Sequence, residues 1–180
     1  MMNFIKSILA GVAIGIGSYI NLKTGGITGA ILFSVGLFLV CHFQLNLYTG
    51  KVGYTGIIKN LLILLGNFIG SLFLLFMPQN TARYIMEDKL SEPLHITFIN
   101  AIICGILIYA AVECFRRGSQ YMIVVCVPAF IAFGAEHCVA DMCYAANAHM
   151  FSWKLCLFML IVILGNSIGS ILFRLCTKGE

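Results

Sequence analysis

Residues 66–73 read GNFIGSLF and residues 165–172 read GNSIGSIL, so one short pattern occurs twice in the chain. Both copies begin with Gly-Asn and share Ile-Gly-Ser at the same places, with three residues between the two glycines. Small residues at this spacing let two membrane helices approach closely, and an asparagine can hydrogen-bond across the contact. The pair therefore predicts an internal repeat in which Asn67 and Asn166 play the same supporting role.

The composition of the chain is that of a membrane protein. Of its 180 residues, 61% are hydrophobic and 10% are charged, and the mean hydropathy of +0.99 lies far outside the range of soluble domains. The net charge of +4 comes from cations that stand singly at the ends of apolar segments, so no nucleic-acid partner is predicted. The eight cysteines form no CxxC pair and are interpreted mostly as small packing residues.

Six apolar segments are long enough to cross about 30 Å of hydrocarbon, which takes about 20 helical residues. They are residues 4–22, 27–45, 56–77, 96–115, 121–146 and 154–175. An even number of spans places both termini on one side of the membrane. That side would carry seven cations, Lys6, Lys51, Lys59, Arg116, Arg117, Arg174 and Lys178, against four on the other, Lys23, Arg83, Lys89 and Lys154. Because cytoplasmic loops are enriched in Lys and Arg, we predict a multi-pass protein of the inner (plasma) membrane with both termini cytoplasmic.

The position of the repeated pattern predicts the topology. Each copy lies in the last of three successive segments, and an odd number of spans per repeat reverses the orientation of the second repeat. We therefore predict an all-α membrane protein with an inverted 3+3 repeat about an axis in the membrane plane. The chain would form a single transmembrane domain, with residues 1–78 as the first repeat, 79–95 as an extracytoplasmic connection and 96–180 as the second repeat.

The middle segment of each half is interrupted. In the second segment the apolar pattern ends at Gln44, Asn46, Thr49 and Gly50, and in the fifth a glycine, Gly134, precedes a polar cluster. Proteins built from inverted repeats commonly place their binding site where such helices break near the membrane midplane. The two breaks are therefore the predicted location of the functional site.

The polar cluster lies in residues 134–142, GAEHCVADM. Three ionisable side chains in an apolar span are costly, at about 3 kcal/mol each on insertion scales, and they indicate a function. Histidine has an unperturbed pKa of about 6.5, so His137 is suited to exchange a proton near neutral pH. We interpret Glu136 as a clamp that accepts hydrogen bonds from backbone N–H groups at the break. Asp141 either shares a helix face with His137 or caps the half-helix after the break, and the cap is favoured.

Several segments together resemble the formate/nitrite transporter family. They are FSVGL at 33–37, LNLYTG at 45–50, the two GNxIGS copies, HITFINAIICGIL at 95–107 and GAEHCVADM, and they occur in the family's order over residues 9–173. The resemblance implies a short, divergent member with an aquaporin-like protomer and pentameric assembly, and passage of small monovalent anions such as formate, nitrite or hydrosulfide.

The same resemblance implies roles for individual residues. Phe33, Leu37 and Phe130 match the family's apolar constriction. Leu47, Tyr48 and Thr49 match the loop that interrupts the second span. His137 matches the central pore histidine, with Thr49 near it.

This chain departs from the family's usual second-half motif, F-E-H-S-[IV]-A-N-M. Asp141 stands where the family has asparagine, Cys138 where it has serine, and Ala135 where it has an aromatic residue. The family's lysine before the fourth span aligns near Pro93. Lys89 is then the nearest cation, and His95 is the nearest titratable group.

We therefore predict a channel or secondary transporter for small monovalent weak-acid anions, with no bound cofactor or metal and no enzymatic activity. The anion would be protonated at His137 and cross the apolar rings as the neutral acid, with protons and membrane lipid as further partners. One alternative is an intramembrane metal-dependent enzyme or redox protein that uses His137, Cys138 and Cys143, with Asp141 and His149 as further ligands. No CxxC or HxxxH spacing supports it. Another alternative is a membrane subunit that does not transport.

Overall fold

The computed structural model describes residues 4–79 and 81–177, and all regular structure in these ranges is helical. Lys178, which the charge count places on the cytoplasmic side, lies outside the described residues. The helices are α1 (Phe4–Thr24), α2 (Gly26–His42), α3 (Tyr48–Lys51), α4 (Ile57–Ser71) with a 3-10 extension (Leu72–Phe76), α5 (Ala82–Ser91), α6 (Leu94–Arg116), α7 (Met122–Ala132), α8 (Cys138–Asn147) and α9 (Trp153–Thr177).

Among the described residues, four helices are long and apolar enough to cross a membrane. They are Phe4–Thr24, Ile57–Phe76, Leu94–Arg116 and Trp153–Thr177. Two shorter apolar helices, Gly26–His42 and Met122–Ala132, each end at an interruption. The chain is therefore an all-helical membrane protein.

Both interruptions contain a residue with left-handed backbone geometry. Gln44 has a φ of 52° in the loop between α2 and α3, and Gly134 has a φ of 74° in the loop between α7 and α8. This conformation is incompatible with a continuing right-handed helix. Each apolar helix therefore stops, and a new short helix begins after a few residues.

The repeated glycines allow two pairs of long helices to pack in close contact. α1 crosses α4, and α6 crosses α9. A Cβ atom at Gly70 would lie 2.1 Å from the carbonyl oxygen of Ile8, and one at Gly169 would lie 2.1 Å from that of Ile102. No side chain fits at either crossing, so the glycines are required by the helix separation.

We expect Gly169→Ala to lower the free energy of unfolding by about 2 kcal/mol, because the added methyl group forces α6 and α9 apart. Thermal unfolding of the detergent-solubilised protein measures the effect. Gly56→Ala is the matched control, since a Cβ there meets no atom within 4 Å and its φ of −69° suits any residue. Equal melting temperatures for the two variants would contradict the prediction.

The connection between the two halves contains a helix rather than an open loop. On α5 the buried residues are Ala82, Met86 and Leu90, and this face packs against α8. Lys89 lies three residues after Met86, so it projects from nearly the same face. Helix α5 therefore places the ammonium group of Lys89 in the protein interior.

Candidate functional site

In the first half, the side chain of Asn67 joins the break to the long helices. Its amide nitrogen donates to the carbonyl oxygens of Ser7, at 2.7 Å, and Asn46, at 2.8 Å, and its amide oxygen accepts the backbone N–H of Tyr48 at 2.8 Å. Asn67 therefore ties both sides of the break to the α1–α4 crossing.

Asn166 makes the corresponding three bonds in the second half. Its amide nitrogen donates to the carbonyl oxygens of Ala101, at 2.8 Å, and Glu136, at 2.7 Å, and its amide oxygen accepts the backbone N–H of Cys138 at 2.9 Å. Backbone groups exposed by a broken helix must find partners in an apolar interior. The two asparagines supply those partners.

His137 lies where the two breaks meet, and its imidazole is buried. It is the N-cap of α8, because its Nδ1 accepts the backbone N–H of Ala140 at 3.1 Å. Since Nδ1 is an acceptor, the neutral ring carries its proton on Nε2. Nε2 lies 3.1 Å from the hydroxyl oxygen of Thr49 and therefore donates to it.

Apolar side chains surround the histidine. The rings of Phe33 and Phe130 lie 5.7 Å apart at right angles, and the ring of Phe130 stacks on His137 at 5.8 Å. Leu37 is buried with them. The structure thus brings Phe33 against Phe130 and Phe130 against the imidazole.

The remaining predicted loop residues, Leu47 and Tyr48, directly precede Thr49 in the chain. Leu47 is buried and precedes α3, and Tyr48 begins it. The hydroxyl groups of Tyr48 and Ser167 are hydrogen-bonded at 2.8 Å. This bond connects α3 directly to α9.

A cavity of about 410 Å³, which we call the cationic cavity, is lined by Lys51, Arg116, Leu47 and Gly50 among others. The guanidinium group of Arg116 donates to the carbonyl oxygen of Gly50 and lies 4.6 Å above the ring of Tyr54. Burial, together with the charge of Arg116, lowers the pKa of Lys51. The two cations in the lining, Lys51 and Arg116, give this cavity a positive potential, which suits an anion.

A second cavity, of about 260 Å³, contains the polar cluster. We call it the acidic cavity, and its lining includes Lys89, Glu136, His137, Asp141 and Tyr144. It shares no lining residue with the cationic cavity.

Lys89 is the cation of the acidic cavity. Its ammonium group contacts the carboxylate of Glu136 and lies 3.3 Å from Oδ1 of Asp141. Burial by itself lowers the pKa of Lys89, but the carboxylates of Asp141 and Glu136 outweigh burial and raise that pKa above its ordinary value. Lys89 is therefore an ammonium ion at neutral pH, while His95, the other candidate for this position, is exposed.

Two predictions for the acidic residues are wrong. Glu136 binds the side chain of Lys89, not backbone N–H groups, while its own carbonyl oxygen accepts from Asn166. Asp141 does not cap α8, because His137 occupies the N-cap position and Asp141 lies in the first turn. The helix begins earlier than expected, and the carboxylate of Asp141 faces Lys89 instead.

The described residues do not support the alternative metal site. Within residues 4–79 and 81–177, no group of three or more His, Cys, Asp and Glu side chains is placed to hold a metal ion. Cys138 and Cys143 are buried, whereas His149 is exposed. The proposed ligands do not converge.

Sequence reasoning missed two features of the site. The sequence pattern predicts only a topological role for Lys51 and Arg116, whereas both line the cationic cavity. Lys89 was named without a partner, although its place beside the Met86 and Leu90 face of α5 could have indicated burial.

An all-helical membrane protein in which two broken helices meet at a buried histidine has the architecture of a channel or transporter. The formate/nitrite transporter family model matches residues 1–178, and the chain belongs to that family. This membership confirms the resemblance found in the sequence, and it places the chain among transporters rather than enzymes.

The relatives agree with this assignment. The chain is 27% identical over 146 residues to the formate channel FocA of Haemophilus influenzae, and the match covers 64% of this chain and 51% of the relative. The chain therefore spans about half the length of that curated relative.

Two solved structures have a similar fold. One is described as a pentameric formate channel with formate bound, with a TM-score of 0.79, 21% identity and coverage of 97% of this chain and 94% of that one. The other is described as an FNT family ion channel, with a TM-score of 0.78, 23% identity and coverage of 94% and 86%.

Proposed function

We propose that the protein is a channel or secondary transporter for small monovalent anions of weak acids, of the formate or nitrite type, with hydrosulfide as a further candidate. The observation that carries the proposal is the meeting of the two helix breaks at His137. There the imidazole and the Thr49 hydroxyl form a small polar site beside the rings of Phe33 and Phe130. Family membership and the relative named as a formate channel support the same substrate class.

The proposed architecture has six spans in an inverted 3+3 repeat, with residues 1–78 and 96–180 as the repeats and 79–95 as an extracytoplasmic connection. The matching hydrogen bonds of Asn67 and Asn166 support it, as do the matching α1–α4 and α6–α9 crossings. The protomer is aquaporin-like and lies in the plasma membrane with cytoplasmic termini. We infer a homo-pentamer, because the formate channel of similar fold is pentameric.

The proposed path crosses the membrane through both cavities. An anion loses its hydration when it enters a narrow apolar passage, which is prohibitive unless its charge is compensated or removed. Lys51 and Arg116 attract the anion into the cationic cavity, and the N–H of His137 then binds it. The anion takes up a proton at this level and passes Phe33, Leu37 and Phe130 as the neutral acid.

Liposome flux tests this function. Protein reconstituted into vesicles should take up formate or nitrite under a pH gradient. We expect His137→Asn to reduce this uptake at least about tenfold. Removal of a positioned proton-transfer group can have a larger effect than this minimum. The asparagine retains an oxygen that can accept the Ala140 N–H, so the cap is preserved.

His149→Asn is the control, because it changes an exposed histidine outside both cavities. Absence of uptake by the native protein would contradict transport and favour a subunit that kept the fold without the activity. Unchanged uptake and pH dependence in His137→Asn would contradict the role of the histidine.

A further inference from the structure

The acidic cavity has more buried carboxylates than cations. The side chains of Glu136 and Asp141 are each 1% exposed and that of Lys89 is 15% exposed. With all three ionised, the cluster carries a net charge of −1. An uncompensated charge in a buried site is strongly unfavourable, and such a group normally becomes neutral instead.

The lack of hydrogen bonds to the Asp141 carboxylate from the described residues indicates the same imbalance. Neither of its oxygens accepts a hydrogen bond from a described residue, although Lys89 is near Oδ1. The carboxyl groups of Glu136 and Asp141 face the same ammonium group, which contacts Glu136 and lies 3.3 Å from Oδ1 of Asp141. A carboxylate only accepts hydrogen bonds, so one of the two carboxyl groups must carry a proton before it can donate to the other.

His137 is poorly suited to store this proton. Its Nδ1 already accepts the Ala140 N–H, so protonation there removes the N-cap of α8. Loss of the Nε2 proton from the neutral ring would leave an imidazolate. In this geometry the neutral imidazole can donate a hydrogen bond from Nε2, but it holds no additional proton that it could transfer to the anion.

We propose that Glu136 and Asp141 share one proton at rest, and that this carboxylic proton is the one transferred to the permeant anion. The transfer rests on the proposed function. The O–H bond of the carboxylic acid breaks, a bond forms between the proton and the weak-acid anion, and the two carboxylates are left paired with Lys89. A hydronium ion from bulk solution then restores the proton on the pair and leaves a water molecule.

Among the described residues, the charged and titratable groups around Glu136 and Asp141 provide no second cation that could replace the shared proton. From α5 the pair faces Lys89 and, at the cavity lining, Asp88, while Glu92 follows that helix. The buried side chains of Cys104, Cys138, Cys143 and Tyr144 carry no positive charge. Lys89 is the one cation among these described groups, so a second positive charge does not relieve the pair.

Infrared spectroscopy of the native protein tests the shared proton directly. A protonated carboxylic acid has a carbonyl stretch that a carboxylate lacks. We expect this band at neutral pH, and we expect Asp141→Asn to abolish it, because Lys89 and Glu136 then form a balanced pair. Glu87→Gln is the matched control and should retain the band, since Glu87 is half exposed and pairs with Arg83 at the surface. Absence of the band in the native protein would overturn the proposal, whatever the flux.

Flux tests the transfer. We expect Asp141→Asn to lower weak-acid uptake about tenfold at neutral pH, which is less than the full effect of a positioned proton donor. The loss should be smaller in acid, where hydronium ions in bulk solution supply the proton. Glu87→Gln should keep the native pH profile. An unchanged profile in Asp141→Asn would overturn the transfer. A native protein with the band but without uptake would overturn the proposed function and leave the shared proton standing.

Discussion

Lys89→Met should lower the free energy of unfolding by about 3–5 kcal/mol, the usual result of removing one partner from a buried ion pair. The ammonium group is in contact with Glu136 and lies 3.3 Å from Asp141. Methionine fills a similar volume but leaves both carboxyl groups without a cation. Denaturation of the detergent-solubilised protein, followed by circular dichroism, measures the loss.

Arg83→Met is the matched control on the same helix. The Arg83 side chain is 66% exposed and pairs with Glu87 four residues later, so its removal should change the free energy of unfolding by less than about 1 kcal/mol. Adding Asp141→Asn to Lys89→Met should restore part of the loss, because one unpaired carboxylate is removed. Equal effects of Lys89→Met and Arg83→Met would show that the buried cluster is not held by Lys89.

Asn166→Leu should lower the free energy of unfolding by about 3 kcal/mol or more. Leucine has nearly the same size, but it leaves a buried N–H and two buried carbonyl oxygens without the partners they have in the native protein. Each buried polar group that loses its hydrogen-bond partner lowers the free energy of unfolding by about 1–3 kcal/mol. Uptake should fall as well, since Asn166 bonds to the backbone on both sides of His137.

The control for this prediction is Asn100→Leu on α6. Asn100 makes a single 3.4 Å bond to Glu92, so its replacement should have a much smaller effect. Asn67→Leu should match Asn166→Leu if the two halves are equivalent. A large difference between Asn67→Leu and Asn166→Leu would count against the inverted repeat, and a small effect of both would count against the asparagines as the links between breaks and helices.

Local sequence patterns were sufficient to predict the helices and the positions at which two of them break. Gly134 marks the second interruption because its left-handed backbone conformation favours glycine. Gln44 marks the first interruption because its polar side chain ends the apolar pattern. The glycines of the repeated pattern were accessible for a similar reason, since only a missing side chain permits the 2.1 Å approach at Gly70 and Gly169. Such requirements involve one position at a time and leave a visible trace in the sequence.

Local sequence patterns could not predict the partners of the acidic residues Glu136 and Asp141. Lys89 and Glu136 are 47 positions apart, and only the packing of α5 on α8 brings them into contact. The cap of α8 was missed because both His137 and Asp141 can accept a backbone N–H. The choice depends on the residue at which the new helix begins.

By itself, the sequence determined the class of the protein: a helical membrane protein of the formate/nitrite transporter family, with two broken spans and a histidine at one of them. These features follow from hydrophobic length, glycine spacing and a short motif, all of which act locally along the chain. Only the tertiary structure decided that Thr49 receives the histidine N–H and that one lysine faces two carboxylates. Charge balance and hydrogen bonding depend on distances between helices, and those distances arise when the chain packs.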